Sequence, residues 1–300
     1  MVVKKTRRHL RRETKKLRDA YLPGPRQCRP RVGSKCPDYG CLPPMELAQL
    51  AHRILGKTEV HGGAGTNRTA ALRKLLEAKL GITEGNELSF INALPIDETE
   101  KRRLRETYLR PAQPVAWKSD PDMWLDSTNI KDVMDQYEKD LPDFKFLGPY
   151  PIDFAAPDPY NQTKTKCLIS EMCSIDSKAL LRQGIHRIGI IYNLDPHTKN
   201  GSHWVANYID LKKHHCYYFD SYGMAVPDQI EKFMQWLTLE DPKMKLARCA
   251  RRFQFKGSEC GMYSMYFIIR MLMGEEFRHF CRRAPRDGAM LSLRSWLFST

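Results

Sequence analysis

Four polar residues stand where strands end or helices begin: His203, Asp220, Gln254 and Cys260. Cys260 follows Lys256-Gly257-Ser258-Glu259 and opens an apolar run, which reads as the first turn of a buried helix. A thiol there, close to an imidazole, is pushed toward the thiolate by the positive end of the helix. His203 follows Lys199-Asn200-Gly201-Ser202 and precedes an apolar strand, and it has the chemistry to take a proton and return it to a leaving amine. Asp220, in Phe219-Asp220-Ser221-Tyr222-Gly223, supplies a carboxylate to orient that imidazole. The Gln254 amide has an N–H to offer a developing oxyanion. Gly261 leaves out a side chain where a substrate backbone would have to approach. Taken singly, each has a plainer reading: a small core thiol, a strand-end histidine, a turn aspartate, a glutamine with no signal. Together they are the parts of a cysteine nucleophile.

The elements that must position them are legible in outline. Residues 187–194, 204–209, 216–220 and 248–255 are rich in β-branched and aromatic residues between turn signals, and are expected to be strands. Residues 227–237 and 260–273 are expected to be helices, as is a segment opening at Trp124 and running to Tyr137. Pro-rich loops are expected from there to about Tyr160. Earlier in the chain, Pro43-Pro44 opens a helix to about Gly56, Asn67 is the expected cap of a helix ended by Gly81, and Asp97 that of a helix to about Leu109. Strands followed by flanking helices give an α+β class. The prolines at 111, 114 and 121 mark a boundary. The expected division is a flexible basic tail and linker over 1–43, a small helical arm over 44–114 and a catalytic domain over 115–300.

The net charge of +14 over 300 residues is uneven. Residues 1–35 hold 13 Lys and Arg against Glu13 and Asp19, leaving +3 for residues 36–300. The body therefore reads as nearly neutral, which argues against a protein whose whole surface grips nucleic acid. The basic segment reads as a salt-dependent, sequence-blind DNA tether or an import signal. No secretory core follows Met1, and the apolar run 262–273 is interrupted by Arg270 and too short to span a bilayer, so no membrane partner is expected. Nine cysteines, an odd number, suggest a reducing compartment with thiols used for packing, metal or catalysis. Cys28, Cys36 and Cys41 lack the paired spacing of a zinc site. The loop His61-Gly62-Gly63-Ala64-Gly65 lacks the Lys of a phosphate loop; it reads first as a flexible loop, with self-cleavage by a protease that prefers Gly-Gly as the lesser reading.

The chain resembles the SUMO-deconjugating and adenovirus-proteinase-like cysteine proteases. The resemblance lies in Gly201-Ser202-His203-Trp204-Val205, in Tyr218-Phe219-Asp220-Ser221, and in Gln254-Phe255-Lys256-Gly257-Ser258-Glu259-Cys260-Gly261-Met262-Tyr263. It covers about residues 115–273. It implies a papain-like α+β core with a mixed sheet flanked by helices, behind a small helical arm. It implies Cys260 as nucleophile, His203 as base and acid, Asp220 as orienting carboxylate, and Gln254 with the Cys260 N–H as oxyanion donors. Trp204, and Trp124 in Trp124-Leu125-Asp126-Ser127, would wall a cleft that admits Gly-Gly; ordinary core packing is the competing reading of both indoles. This sequence departs from the family pattern where Ser127 replaces an Asp, with Asp126 one earlier, and where Glu259 precedes the nucleophile. No cofactor or metal is implied. The expected substrate is a viral polyprotein or capsid precursor, with action in a virion or cytoplasmic viral factory. The alternative is a SUMO or ubiquitin-like conjugate processed in the nucleus, and a remote one is a non-catalytic nucleic-acid-binding protein.

Overall fold

A computed structural model describes residues 28–30, 37, 39–56, 65–82, 86–159, 166–283 and 285–299. The basic residues 4–18 and the loop 61–64, with its self-cleavage reading, lie outside the described residues. The chain divides into two compact units, Met1–Val115 with Arg294–Thr300, and Ala116–Leu293.

The first unit is helical: α1 Pro44–Leu55, α2 Thr66–Leu80, α3 Glu87–Ala93 and α4 Glu98–Tyr108. Prolines at the start of α1 and left-handed Gly56 and Gly81 at the ends of α1 and α2 place these helices as their sequences suggest. Asp97 caps α4 by accepting from Glu100 N at 2.9 Å. Asn67 does not cap α2, which begins one residue earlier behind Gly65. Leu47, Leu50, Leu76, Phe90, Ile91 and Leu104 form the buried core.

Two boundaries differ from expectation. Cys28 and Cys41, placed in a flexible tail and linker, are buried in this core and joined by a disulfide. The strand-like exchange of Gln113 N to Ser299 O and Ser299 N to Pro111 O, each 2.8 Å, ties the last residues to this unit rather than to the catalytic one. A second disulfide joins Cys167 and Cys173, so four cysteines expected to be free are paired, and neither Cys28 nor Cys41 is a metal ligand. Both pairs are close in sequence, with separations of 13 and 6, but three of the four cysteines lie outside the helices and strands, on paths that the sequence does not fix.

The second unit runs α5 Ser127–Asp140, β1 Phe144–Pro151, α6 Ser170–Cys173, α7 Ser177–Arg182, β2 Arg187–Asn193, β3 Trp204–Asp210, β4 His215–Phe219, α8 Asp228–Glu240, β5 Lys245–Arg248, α9 Cys260–Leu272 and α10 Phe277–Arg283; α11 Asp287–Leu297 follows. The sheet has the order β1-β2-β3-β4-β5, parallel at both edges and antiparallel in the middle. Period-two alternation sends Ile188, Ile190 and Tyr192 into one core with Ile230, Phe233 and Leu237 of α8. The other face receives α9, buried along its length except for Arg270. Gly189 permits this approach, because a Cβ there would lie 2.8 Å from Ile268 Cγ2 and 3.1 Å from the Phe144 ring.

Three expected elements move. Trp124 precedes α5 instead of opening it, because Asp126 and Asn129 form a reciprocal capping box at the true start. The expected loop over 144–151 is β1, whose Gly148 and Pro149 hide the strand pattern and sit at a register shift against β2. Of the expected strand 248–255 only Arg248 lies in a strand, as the last residue of β5. After Cys249 the chain leaves the sheet, and the N–H groups of Phe253 and Gln254 both turn onto Ser221 O, at 2.8 and 3.0 Å.

Candidate active site

His203 immediately precedes β3 and Asp220 immediately follows β4, so the antiparallel pairing of these strands places them at one end of the sheet. The approach to β3 is set by Gly201, at φ +89°, where a Cβ would collide with Asn193. Asn193 Oδ1 in turn accepts from Asp195 N and Ser202 N. His203 Nε2 lies 2.7 Å from Asp220 Oδ1. Asp220 is completely buried, and its oxygens also accept from Tyr222 N at 2.9 Å and Met224 N at 3.2 Å. The carboxylate is thus fixed before it orients the ring, and Nδ1 is left for Cys260.

Cys260 is the first residue of α9 and is 2 % exposed. Burial alone would lower the His203 pKa. The hydrogen bonds to Asp220 and Cys260, and the negative charge of both partners, more than reverse this and raise it to about 9. The protonated imidazole is therefore the stable form at neutral pH. Tyr222 stacks on the His203 ring with centroids 4.7 Å apart.

Gln254 is fully buried beside them. Its Oε1 accepts from Ser221 Oγ at 2.6 Å, and its Nε2 donates to Lys256 O at 2.7 Å. A backbone carbonyl only accepts, so this contact fixes which end of the amide is nitrogen. One amide hydrogen remains, its nearest further partner the Tyr222 hydroxyl at 3.4 Å. The structure thus brings His203, Asp220, Gln254 and Cys260 together.

The two indoles differ. Trp204 is 6 % exposed and donates Nε1 to Leu125 O at 3.0 Å, whereas Trp124 is 47 % exposed. Both line one open cleft of about 400 Å³, with Leu125, Tyr150, Pro149 and Pro196 among its walls. Gly261 has a packing reason beyond the one expected from sequence. A Cβ there would meet Leu125 Cδ1 at 3.0 Å, Leu125 Cβ at 3.2 Å and Trp204 Cδ1 at 3.3 Å. It seats the indole and the leucine that holds it. Asp126, one residue off the expected acidic position, is spent on capping α5. Sequence reasoning passed over Ser221 and Tyr222. Their signal was the turn motif Phe-Asp-Ser-Tyr-Gly, read only for its aspartate.

Residues 190–287 match the family model described as the Ulp1 protease family, C-terminal catalytic domain. Over these residues the chain is similar to the catalytic domain of that family. The matched span contains His203, Asp220, Gln254 and Cys260 and leaves the arm outside. A protein of Acanthamoeba polyphaga mimivirus named as a thiol protease is 35% identical over 159 residues, which is 51% of this chain and 49% of that relative. A SUMO-1 cysteine protease of African swine fever virus (ASFV) is 30% identical over 136 residues, 43% of this chain and 49% of that protein. The chain therefore spans about half the length of the curated relatives it matches. The crystal structure of the ASFV protease superposes with a TM-score of 0.61 at 18% identity, covering 93% of this chain and 97% of that one. At that identity the likeness is one of fold. It extends the Ulp1-type α+β architecture, with its N-terminal helical region, beyond the matched domain.

Proposed function

We propose that the chain is a thiol endopeptidase that cuts after Gly-Gly-like sites in viral polyprotein or capsid-precursor substrates. The observation that carries this reading is the 2.7 Å contact between His203 and a buried Asp220, with Cys260 at the start of a buried helix against the same imidazole. In this reading the Cys260 sulfur, its proton held by His203 Nδ1, attacks the scissile carbonyl carbon. The oxyanion accepts from the Gln254 Nε2–H that otherwise makes the long 3.4 Å bond to the Tyr222 hydroxyl, and from the Cys260 N–H. His203 then protonates the departing amine, the C–N bond breaks and a thioester remains. Water, deprotonated by His203, releases the acid and regenerates the thiol. Asp220 holds the ring and stays ionised throughout.

Trp124 and Trp204 line one cleft, and in this reading the substrate backbone passes between the two indoles, where a Cβ would be disfavoured and glycine preferred. The viral setting is favoured by the mimivirus and ASFV relatives. It would place the enzyme in virions or a cytoplasmic factory, with the +11 of residues 1–35 as a tether to packaged DNA. The ASFV relative, named a SUMO-1 cysteine protease, supports a second reading, removal of a SUMO-like modifier in the nucleus. A non-catalytic role is disfavoured, because the buried carboxylate, raised imidazole and helix-start thiol would be expensive to keep without use. The test is a matched panel of peptides. Gly-Gly at the cut should be cleaved at least tenfold faster than Leu-Leu, and equal rates would end the cleft argument. Faster release of SUMO from a fusion than cleavage of every capsid-derived Gly-Gly peptide would favour the second reading.

A further inference from the structure

The near-neutral average of residues 36–300 conceals a segregation that appears only on folding. Segments 245–256 and 281–287 are separated in sequence by α9, yet the fold brings them together. Arg251 donates to Arg282 O at 2.9 Å, and Phe255 N and Lys256 N donate to Asp287 Oδ2 at 2.9 and 3.0 Å. These segments hold eight Lys and Arg against one acid, Asp287. The +3 of residues 36–300 is therefore +7 here and −4 elsewhere.

All eight cations, Lys245, Arg248, Arg251, Arg252, Lys256, Arg282, Arg283 and Arg286, are exposed. Among the described residues none of them pairs with an acid. Arg248, Arg251 and Arg252 instead donate to the carbonyls of Met224, Arg282 and Gln254. The carboxylate of Asp287 is occupied by two backbone N–H groups and the Tyr263 hydroxyl. Glu275 and Glu276 stand at the opposite end of α10, with Glu275 bound to Arg270. Beside these cations Phe255 is 67 % exposed, with the Arg252 guanidinium 5.0 Å from its ring.

We propose that this face binds single-stranded nucleic acid, its phosphates on the guanidinium groups and an unstacked base on Phe255. Arginine forks match phosphate oxygens two at a time, and an exposed ring among cations is the arrangement that holds single strands without reading sequence. An acidic protein partner would need an apolar centre to desolvate, which these segments do not offer beyond one ring and the partly exposed Leu246. Because the face continues directly from Gln254, a bound strand would run along the rim of the active site. The inference does not depend on protease activity.

The experiment is a fluorescence-anisotropy titration of the full chain with a labelled 20-nucleotide DNA single strand across a series of salt concentrations. Arg282→Gln/Arg283→Gln/Arg286→Gln should lower the log–log salt slope by about 2, since each lost phosphate contact removes roughly 0.7. The corresponding triple Lys variant should keep the slope. The tail is identical in all three proteins, so the change reads this face alone. Phe255→Ala should weaken binding by about tenfold. An unchanged slope in the triple Gln variant would overturn the proposal. An unchanged affinity in Phe255→Ala would overturn its single-strand assignment. Polyglutamate that displaces the oligonucleotide at equal charge concentration would transfer the face to acidic proteins, and so overturn it as well.

Discussion

Ser221 Oγ donates to Gln254 Oε1 at 2.6 Å, with both residues buried. Because Asp220 is the preceding residue, one dipeptide sets both the imidazole and the amide: Asp220 holds His203 while Ser221 holds Gln254. Ser221→Ala would leave Oε1 buried without its donor and the amide free to tilt. Gln254→Ala should cost about 10²–10³ in kcat, the range for one oxyanion donor. Ser221→Ala should cost roughly tenfold or more in kcat with little change in KM. In the Gln254→Ala background it should cost almost nothing further. A double-mutant cycle on peptide hydrolysis checks this, and full additivity would show that Ser221 acts elsewhere.

The raised His203 pKa predicts the alkaline limb of activity. The imidazolium form persists until about pH 9 in the folded enzyme, so kcat/KM should fall as pH rises through that value. Asp220→Asn removes one of the interactions that raise it and should move the limb down toward the ordinary 6.5 while lowering kcat by about 10²–10⁴. The same shift is a stability statement. A pKa raised on folding contributes stability that is complete below 6.5 and lost as pH rises through about 9. Asp220→Asn should flatten the fall in unfolding midpoint over that window. A limb that stays near 9 in the variant would mean that Asp220 does not set it.

Gly261 should matter through its neighbours. In Gly261→Ala the new Cβ presses on Leu125 and Trp204, at 3.0 and 3.3 Å. The leucine that anchors the indole must shift, so the cleft wall moves while the thiol and imidazole do not. KM for a Gly-Gly peptide should rise by about tenfold, with the rate of Cys260 alkylation by a small haloacetamide unchanged. If alkylation slows as much as peptide cleavage, the substitution has disturbed the nucleophile itself.

Much of this site was legible because its residues sit where local signals are strongest. Cys260 opens a helix marked by its apolar run, and His203 and Asp220 flank strands with clear β-branched and aromatic content. Gln254 was assigned through the family resemblance of the segment from Gln254 to Tyr263, although its expected strand already ends at Arg248 in β5. The chain turns out of the sheet after Cys249 through hydrogen bonds to Ser221 O, a long-range contact that no local pattern encodes. The strand β1 was hidden for a related reason, since Gly148 and Pro149 read as loop until β2 pairs with the segment around them. The two disulfides and the basic face depend on loops and on segments separated by a whole helix. Charge averaged along the body could not reveal a surface that only packing assembles.

The central claim is that Cys260, activated by His203, is a nucleophile aimed at the carbonyl of a glycine. Its most direct test is intact-mass analysis after treatment with a Gly-Gly peptide ending in a thiol-reactive electrophile. Wild-type chain should gain one adduct, mapped to Cys260. His203→Ala should gain it at least a hundredfold more slowly, and Cys260→Ala should gain none and cleave no Gly-Gly peptide. An adduct on another cysteine, or undiminished turnover by Cys260→Ala, would contradict the account.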